Sequence, residues 1–137
     1  MTQLLSEIKI HKTLHHDHIV EFDSVFEDQK NVYIILELCT NKTLSEMVKK
    51  RKKLTMKEVR FFMLQIVSAL EYMHSNRVIH RDLKMGNIFL NENMDLKIGD
   101  FGLATKLEFF DEKKRTMCGT PNYIAPEIVE GAVGHSY

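Results

Sequence analysis

Thr55 and Glu58 stand three residues apart, just ahead of Val59, Phe62, Met63, Ile66, Leu70 and Met73. The pair reads as a capping box, and the apolar residues recur at the i, i+3, i+4, i+7 spacing of a helix with one buried stripe. Such a helix is stable only when that stripe packs against other elements, and the flanking sequence supplies them. Upstream, the β-rich runs HIVEFDSVFE and NVYIILEL enclose the polar Asp28-Gln29-Lys30-Asn31, the pattern of an antiparallel hairpin. Before them, residues 4–14 place Leu4, Ile8 and His11 on one helical face, with Glu7 and Lys9 off it. Downstream come the short apolar runs VIH, NIFL and DLKIG, then a loop-like stretch beyond Asp100 punctuated by Gly102, Gly119, Pro121 and Pro126. Helices and hairpins in separate stretches predict an α+β fold. The one shift in character, near residues 39–54, is the expected boundary between two lobes.

Charge narrows the partners. Lysine plus arginine equal aspartate plus glutamate at 19 each, so no overall field favours nucleic acid or a membrane surface. The basic run from Lys49 to Lys53 reads as a solvated connection ahead of the capped helix, with a nuclear-import or acidic-partner patch as the rival reading. The longest purely apolar run, Val32 to Leu36, is far too short to span a bilayer, and MTQLLSEIKI has charges where a signal peptide is apolar. Cys39 and Cys118 lie far apart without a CxxC spacing, which fits free thiols and an intracellular compartment.

Three segments carry chemistry together: His80-Arg81-Asp82-Leu83-Lys84-Met85-Gly86-Asn87, Asp100-Phe101-Gly102 and Ala125-Pro126-Glu127. Singly, each reads as a solvated loop, a turn and a helix start. In this order, with DLKIG running straight into Asp100, they resemble the protein kinase signature set. That resemblance implies ATP and Mg2+ as cofactors and positions the residues for phosphoryl transfer, where the protein orients a hydroxyl and neutralises phosphate charge. Asp82 is then the base that receives the substrate hydroxyl proton. Lys84 brings an ammonium to the transferring phosphoryl group. Asn87 and Asp100 offer the hard oxygens that hold magnesium, and Phe101 packs behind them.

Met85-Gly86 before Asn87, the continuation GNIFLNENMDLKIGDFGLATKLE, the run Leu36-Glu37-Leu38-Cys39 and Cys118-Gly119-Thr120-Pro121-Asn122-Tyr123 with IAPE are similar to the polo-like kinases over nearly the whole chain. This resemblance implies a two-lobe kinase fold, with residues 1–39 ending the small lobe and hinge and 40–137 forming the large lobe through the APE motif. It implies that Glu7 is the helix glutamate that pairs with a strand lysine. Glu37 and Cys39 become hinge residues whose backbone meets the adenine edge, Leu36 the gatekeeper, and Phe89 the aromatic floor, although plain core packing also accounts for Leu36 and Phe89. Thr116 takes the place of an activating phosphorylation site for an upstream kinase, its phosphate held by Arg81. Thr120 is expected to hydrogen-bond Asp82 and Lys84, as in kinases acting on serine and threonine of protein substrates. Cell-cycle control and a cytoplasmic, nuclear or centrosomal location follow from the resemblance alone.

The sequence also departs from the pattern. It has no GxGxxG, and its first lysine, Lys9, already follows Glu7. The expectation is therefore a piece of a kinase domain about twice as long, poorly folded and weakly active by itself. Two rival readings stand beside the enzyme: a truncated, inactive kinase-like module that binds or competes, and a metal site built from His11, His15, His16 and His18. A redox role for Cys118 has no partner in the sequence to support it.

Overall fold

The computed structural model describes residues 2–109, 112–114 and 118–130, so Thr116 lies outside the described residues. The elements are α1 (Thr2–His11), β1 (Phe22–Glu27), β2 (Val32–Leu36), α2 (Leu44–Arg51), α3 (Met56–Ser75), β3 (Val78–Ile79), β4 (Ile88–Leu90), β5 (Leu96–Ile98), β6 (Thr105–Lys106) and α4 (Pro126–Glu130). The α+β expectation holds: three two-stranded antiparallel pairs, β1-β2, β3-β6 and β4-β5, sit among the helices.

α1 stops at His11 rather than continuing to residue 14, and Thr13 Oγ1 donates to Ile10 O as the chain turns. Its inward stripe is also rotated from the expected one. Ile10, His11 and Leu14 are buried while Leu4 is 37% exposed, because the helix lays its Glu7–His11 side over the segment around Phe101 and Gly102. Gln3 Nε2 donates to Gly102 O at 2.9 Å on that side.

The β1-β2 turn falls where the polar tetrad placed it. Asp28 accepts the backbone N–H groups of Lys30 and Asn31 at 2.7 and 2.8 Å, supplying the hydrogen bonds that a free turn would leave to water.

α3 begins at the expected capping box: Thr55 Oγ1 accepts from Glu58 N, and the Glu58 carboxylate accepts from Thr55 N. Phe62, Gln65, Ala69 and Met73 form its buried side. Val59 and Met63, assigned to the buried stripe from spacing, are 39% and 49% exposed, and Phe61, Leu64 and Val67 on the same outer faces are exposed as well. The helix is thus apolar around most of its circumference but covered on one side only. Gln65 is a buried polar exception with both ends used: Nε2 donates to Asp95 Oδ1, and Oε1 accepts from Leu96 N.

α2 corrects the reading of Lys49 to Lys53 as a solvated connection, since the helix runs through Arg51. Thr43 and Glu46 form a second capping box, and Lys49, Lys50 and Arg51 occupy the last turn, where positive charge complements the helix dipole. Arg51 pairs with Glu58 across the joint to α3.

The core centres on Leu14, Ile19, Met73, Val78, Leu90, Leu96, Ile98, Phe101 and Leu107, all under 2% exposed. Ile19 runs parallel to Ile98, with Ile98 N donating to His18 O and Val20 N to Ile98 O. This short ladder carries the segment after α1 onto β5, directly before Gly99 and Asp100.

Candidate active site

Asp82 sits at the centre of a hydrogen-bonded cluster. Thr120 Oγ1 donates to Asp82 Oδ1 at 2.6 Å, and Lys84 Nζ donates both to Asp82 Oδ2 at 2.9 Å and to Thr120 Oγ1 at 2.6 Å. Asn87 Nδ2 donates to the Asp82 backbone oxygen and to Oδ2, each at 2.9 Å. Burial by itself would raise the Asp82 carboxyl. The hydrogen bonds from Thr120, Lys84 and Asn87 and the Lys84 charge outweigh it and hold the group below the ordinary aspartate range. Asp82 is therefore a carboxylate at neutral pH, held in one orientation by three different side chains.

The backbone of the loop is shaped for this. Arg81 and Asp100 have φ of 65° and 62°, the left-handed region that side chains other than glycine and asparagine rarely adopt. Arg81 Nε is anchored on Leu103 O at 2.8 Å. His80, 3% exposed, donates from Nε2 to Gly99 O at 3.0 Å and accepts at Nδ1 from Asp82 N at 3.3 Å. Those two bonds fix a neutral ring, and burial pushes its pKa below the usual histidine value. Gly99 N in turn donates to Asn87 O at 2.9 Å, so His80 and Asn87 both tie the Asp82 loop to the residue before Asp100. Phe101 is fully buried between the rings of His11 and His80, with centroids 4.5 and 5.1 Å away.

Beside this cluster opens a cleft of about 470 Å³ lined by Glu7, Val20, Leu36, Glu37, Cys39, Phe89, Gly99 and Asp100. Six of these were singled out from the sequence as nucleotide-site residues: Glu7, Leu36, Glu37, Cys39, Phe89 and Asp100. Val20 and Gly99 were not. Gly99 leaves a legible trace, a glycine in an apolar strand just before the acidic motif. A Cβ there would lie 2.9 Å from Phe89 Cε2 and 3.1 Å from Val20 Cγ2, so glycine lets the Phe89 ring lie against the strand. Lys84 and Asn87 belong to the Asp82 cluster rather than to the cleft wall.

Glu7 and Asp100 make part of the cleft wall acidic. A Cβ at Gly102 would stand 3.3 Å from Asp100 Oδ1 and 3.5 Å from Glu7 Oε2, so the two carboxylates converge on one point. Burial, and then the Asp100 charge, push the Glu7 carboxyl above its ordinary value, and no basic side chain pairs with Glu7 among the described residues. Asp100 carries hard oxygens of the kind that magnesium takes.

The four histidines near α1 go to separate bonds. His11 Nε2 donates to Val20 O, His15 Nδ1 meets Glu21, His16 Nε2 meets Ser68 Oγ, and His18 Nδ1 donates to Leu96 O. No group of three or more metal-ligating side chains of histidine, cysteine, aspartate or glutamate occurs among the described residues. Cys39 and Cys118 are free thiols. No helix among the described residues is long and apolar enough to cross a membrane.

The protein kinase domain family matches residues 1–137. The probable serine/threonine-protein kinase CCRP1 of Zea mays is 64% identical over 98% of this chain and 22% of that protein. The cell cycle serine/threonine-protein kinase CDC5/MSD2 of Saccharomyces cerevisiae is 60% identical over 98% of this chain and 19% of its own length. The serine/threonine-protein kinase PLK1 of Xenopus laevis is 54% identical over 98% of this chain and 22% of its own length. The chain spans about a fifth of the length of these relatives.

Proposed function

This chain belongs to the protein kinase domain family, within its polo-like serine/threonine branch, and we propose that it forms the nucleotide cleft and catalytic loop of an enzyme that transfers the ATP γ-phosphate to protein serine and threonine hydroxyls. The observation that carries this reading is the Asp82 cluster beside a cleft whose lining includes Asp100 and Glu7. In that reading residues 1–39 end the small lobe and hinge, and residues 40–137 form the large lobe through the APE motif.

Leu36, Glu37, Cys39 and Phe89 receive the adenine, the hinge by its backbone and Phe89 by its ring face. Asp100 and Asn87 would hold Mg2+, which neutralises phosphate charge when bound. Asp82 accepts the hydrogen bond of the incoming hydroxyl and takes its proton. A carboxylate held below the ordinary range suits a proton that moves late in a loose transition state. Lys84 holds its ammonium between Asp82 and Thr120, ready to stabilise charge on the phosphoryl group. Thr120 fixes both, and Thr116 is the proposed activating phosphorylation site. Cell-cycle control is proposed from the similarity to CDC5/MSD2, with protein substrates and an upstream activating kinase as partners and a cytoplasmic, nuclear or centrosomal location.

The exposed apolar faces of α3, and a Glu7 that meets no basic side chain among the described residues, favour a second reading for the 137 residues in isolation, a chain with little phosphotransfer that acts by binding or competition. Phosphotransfer from Mg2+-ATP to a serine peptide separates the two readings: the complete protein containing this segment should catalyse it and the isolated chain should not.

A further inference from the structure

We propose that the ion pair between Glu37 and Lys97 is a positioning clamp that fixes the hinge against β5 and thereby sets the affinity for nucleotide; this rests on the reading of the cleft as an ATP site. Lys97 Nζ lies 2.9 Å from Glu37 Oε1, and the two side chains are only 13% and 26% exposed. The other Glu37 oxygen accepts from Glu21 N at 3.1 Å, while Glu37 N donates to Glu21 O at 2.9 Å. Glu37 thus ends the hairpin ladder with a side-chain bond as well as a backbone bond. Just past it the chain leaves the ladder, and Leu38 is 80% exposed.

The clamp continues beyond the cleft. Glu21 Oε1 pairs with His15 Nδ1 at 2.7 Å, and His15 N donates to the Tyr72 hydroxyl of α3 at 2.9 Å. One continuous path of polar contacts therefore links β5, the hinge, the segment after α1, and α3. At its cleft end both partners flank the nucleotide site. Glu37 lines the cleft itself, and Lys97 lies opposite Phe89 in the β4-β5 register, three residues before Asp100.

A half-buried pair is screened less than one on the open surface, and losing one member strands the other charge in the same partly dry place. The strand leading to Asp100 and the hinge meeting the adenine are then free to shift relative to each other. Ground-state binding of ATP is lost before the chemistry, which is set by the Asp82 cluster.

The test uses the complete protein containing this segment, with ATP Kd, KM for ATP and kcat measured for wild type, Lys97→Met, Glu37→Gln and the double variant. Lys97→Met should raise ATP Kd and KM together by about fivefold, with kcat within about twofold. The double variant should be no weaker than Lys97→Met, because the second substitution removes the charge that the first stranded. Unchanged Kd in Lys97→Met, or a double variant whose loss is the product of the two single losses, overturns the clamp. If Lys97→Met does not fold, the double variant decides by the same Kd: a rise of about fivefold supports the clamp and no rise overturns it. A wild-type protein that binds ATP without transferring phosphate contradicts the catalytic reading alone, since the clamp is read in Kd.

Discussion

Thr120 Oγ1 donates a 2.6 Å hydrogen bond to Asp82 Oδ1 across 38 residues of sequence, and in doing so it docks the segment after Cys118 onto the Asp82 loop. Thr120→Val removes that bond and the one Lys84 donates to the same hydroxyl. The expected result in the complete protein is a fall in kcat of about tenfold to a hundredfold with little change in KM for ATP, because the cleft is untouched. The acid side of the pH–rate profile should move upward at the same time, since one of the bonds holding the Asp82 carboxyl below its usual range is gone. Steady-state kinetics from about pH 3 to about pH 8 check both, a range that reaches below the ordinary carboxylate value of about 4.

Gly99→Ala addresses the cleft instead. The new methyl would stand 2.9 Å from the Phe89 ring and 3.1 Å from Val20, so the floor must tilt. ATP Kd should rise by about tenfold while the thermal midpoint falls modestly, the cost of overpacking being about 1–3 kcal/mol. Calorimetric titration with Mg2+-ATP and a thermal melt are the measurements.

His11 and His80 enclose Phe101, and burial lowers the pKa of both. A histidine whose folded pKa is depressed leaves the unfolded chain binding more protons, so its stabilising contribution is complete above the unfolded pKa of about 6.5 and is lost as pH falls below it. The melting temperature of the complete kinase domain should therefore drop on going from pH 7.5 to 5.5. In His11→Phe that drop should be shallower, and an unchanged slope would show that His11 contributes nothing to it.

Much of this was legible in the sequence, for identifiable reasons. The α3 cap was readable because Thr55 and Glu58 precede an apolar period, and the gathering of Lys84 and Asn87 at Asp82 because they stand at fixed spacing in one loop. The equivalent box at Thr43 and Glu46 is masked in the sequence by the basic run at 49–53, whose composition is that of a linker, although three of its residues belong to the last turn of α2. The exposure of Val59 and Met63 follows no local rule, since which side of an apolar helix is covered depends on its neighbours. The same holds for Glu37 and Lys97, which are 60 positions apart, and for the left-handed backbone of Arg81 and Asp100, which only the folded loop imposes.

Phe61, Leu64 and Val67 give a prediction for the isolated chain. They expose an apolar flank of α3 at 48%, 63% and 53%, and wet apolar surface forgoes about 25 cal/mol per Å². The purified 137-residue chain should self-associate and bind a hydrophobic dye. Leu64→Glu should reduce both, as followed by dye fluorescence and sedimentation.

The most direct test is phosphotransfer from γ-labelled ATP with Mg2+ to a serine-containing peptide, comparing the complete wild-type protein with Asp82→Asn. The account predicts label on the serine with wild type and a loss of kcat of about a hundredfold or more in Asp82→Asn, with ATP Kd nearly unchanged. Equal transfer by the two proteins, or none by the fully phosphorylated wild type, would contradict it.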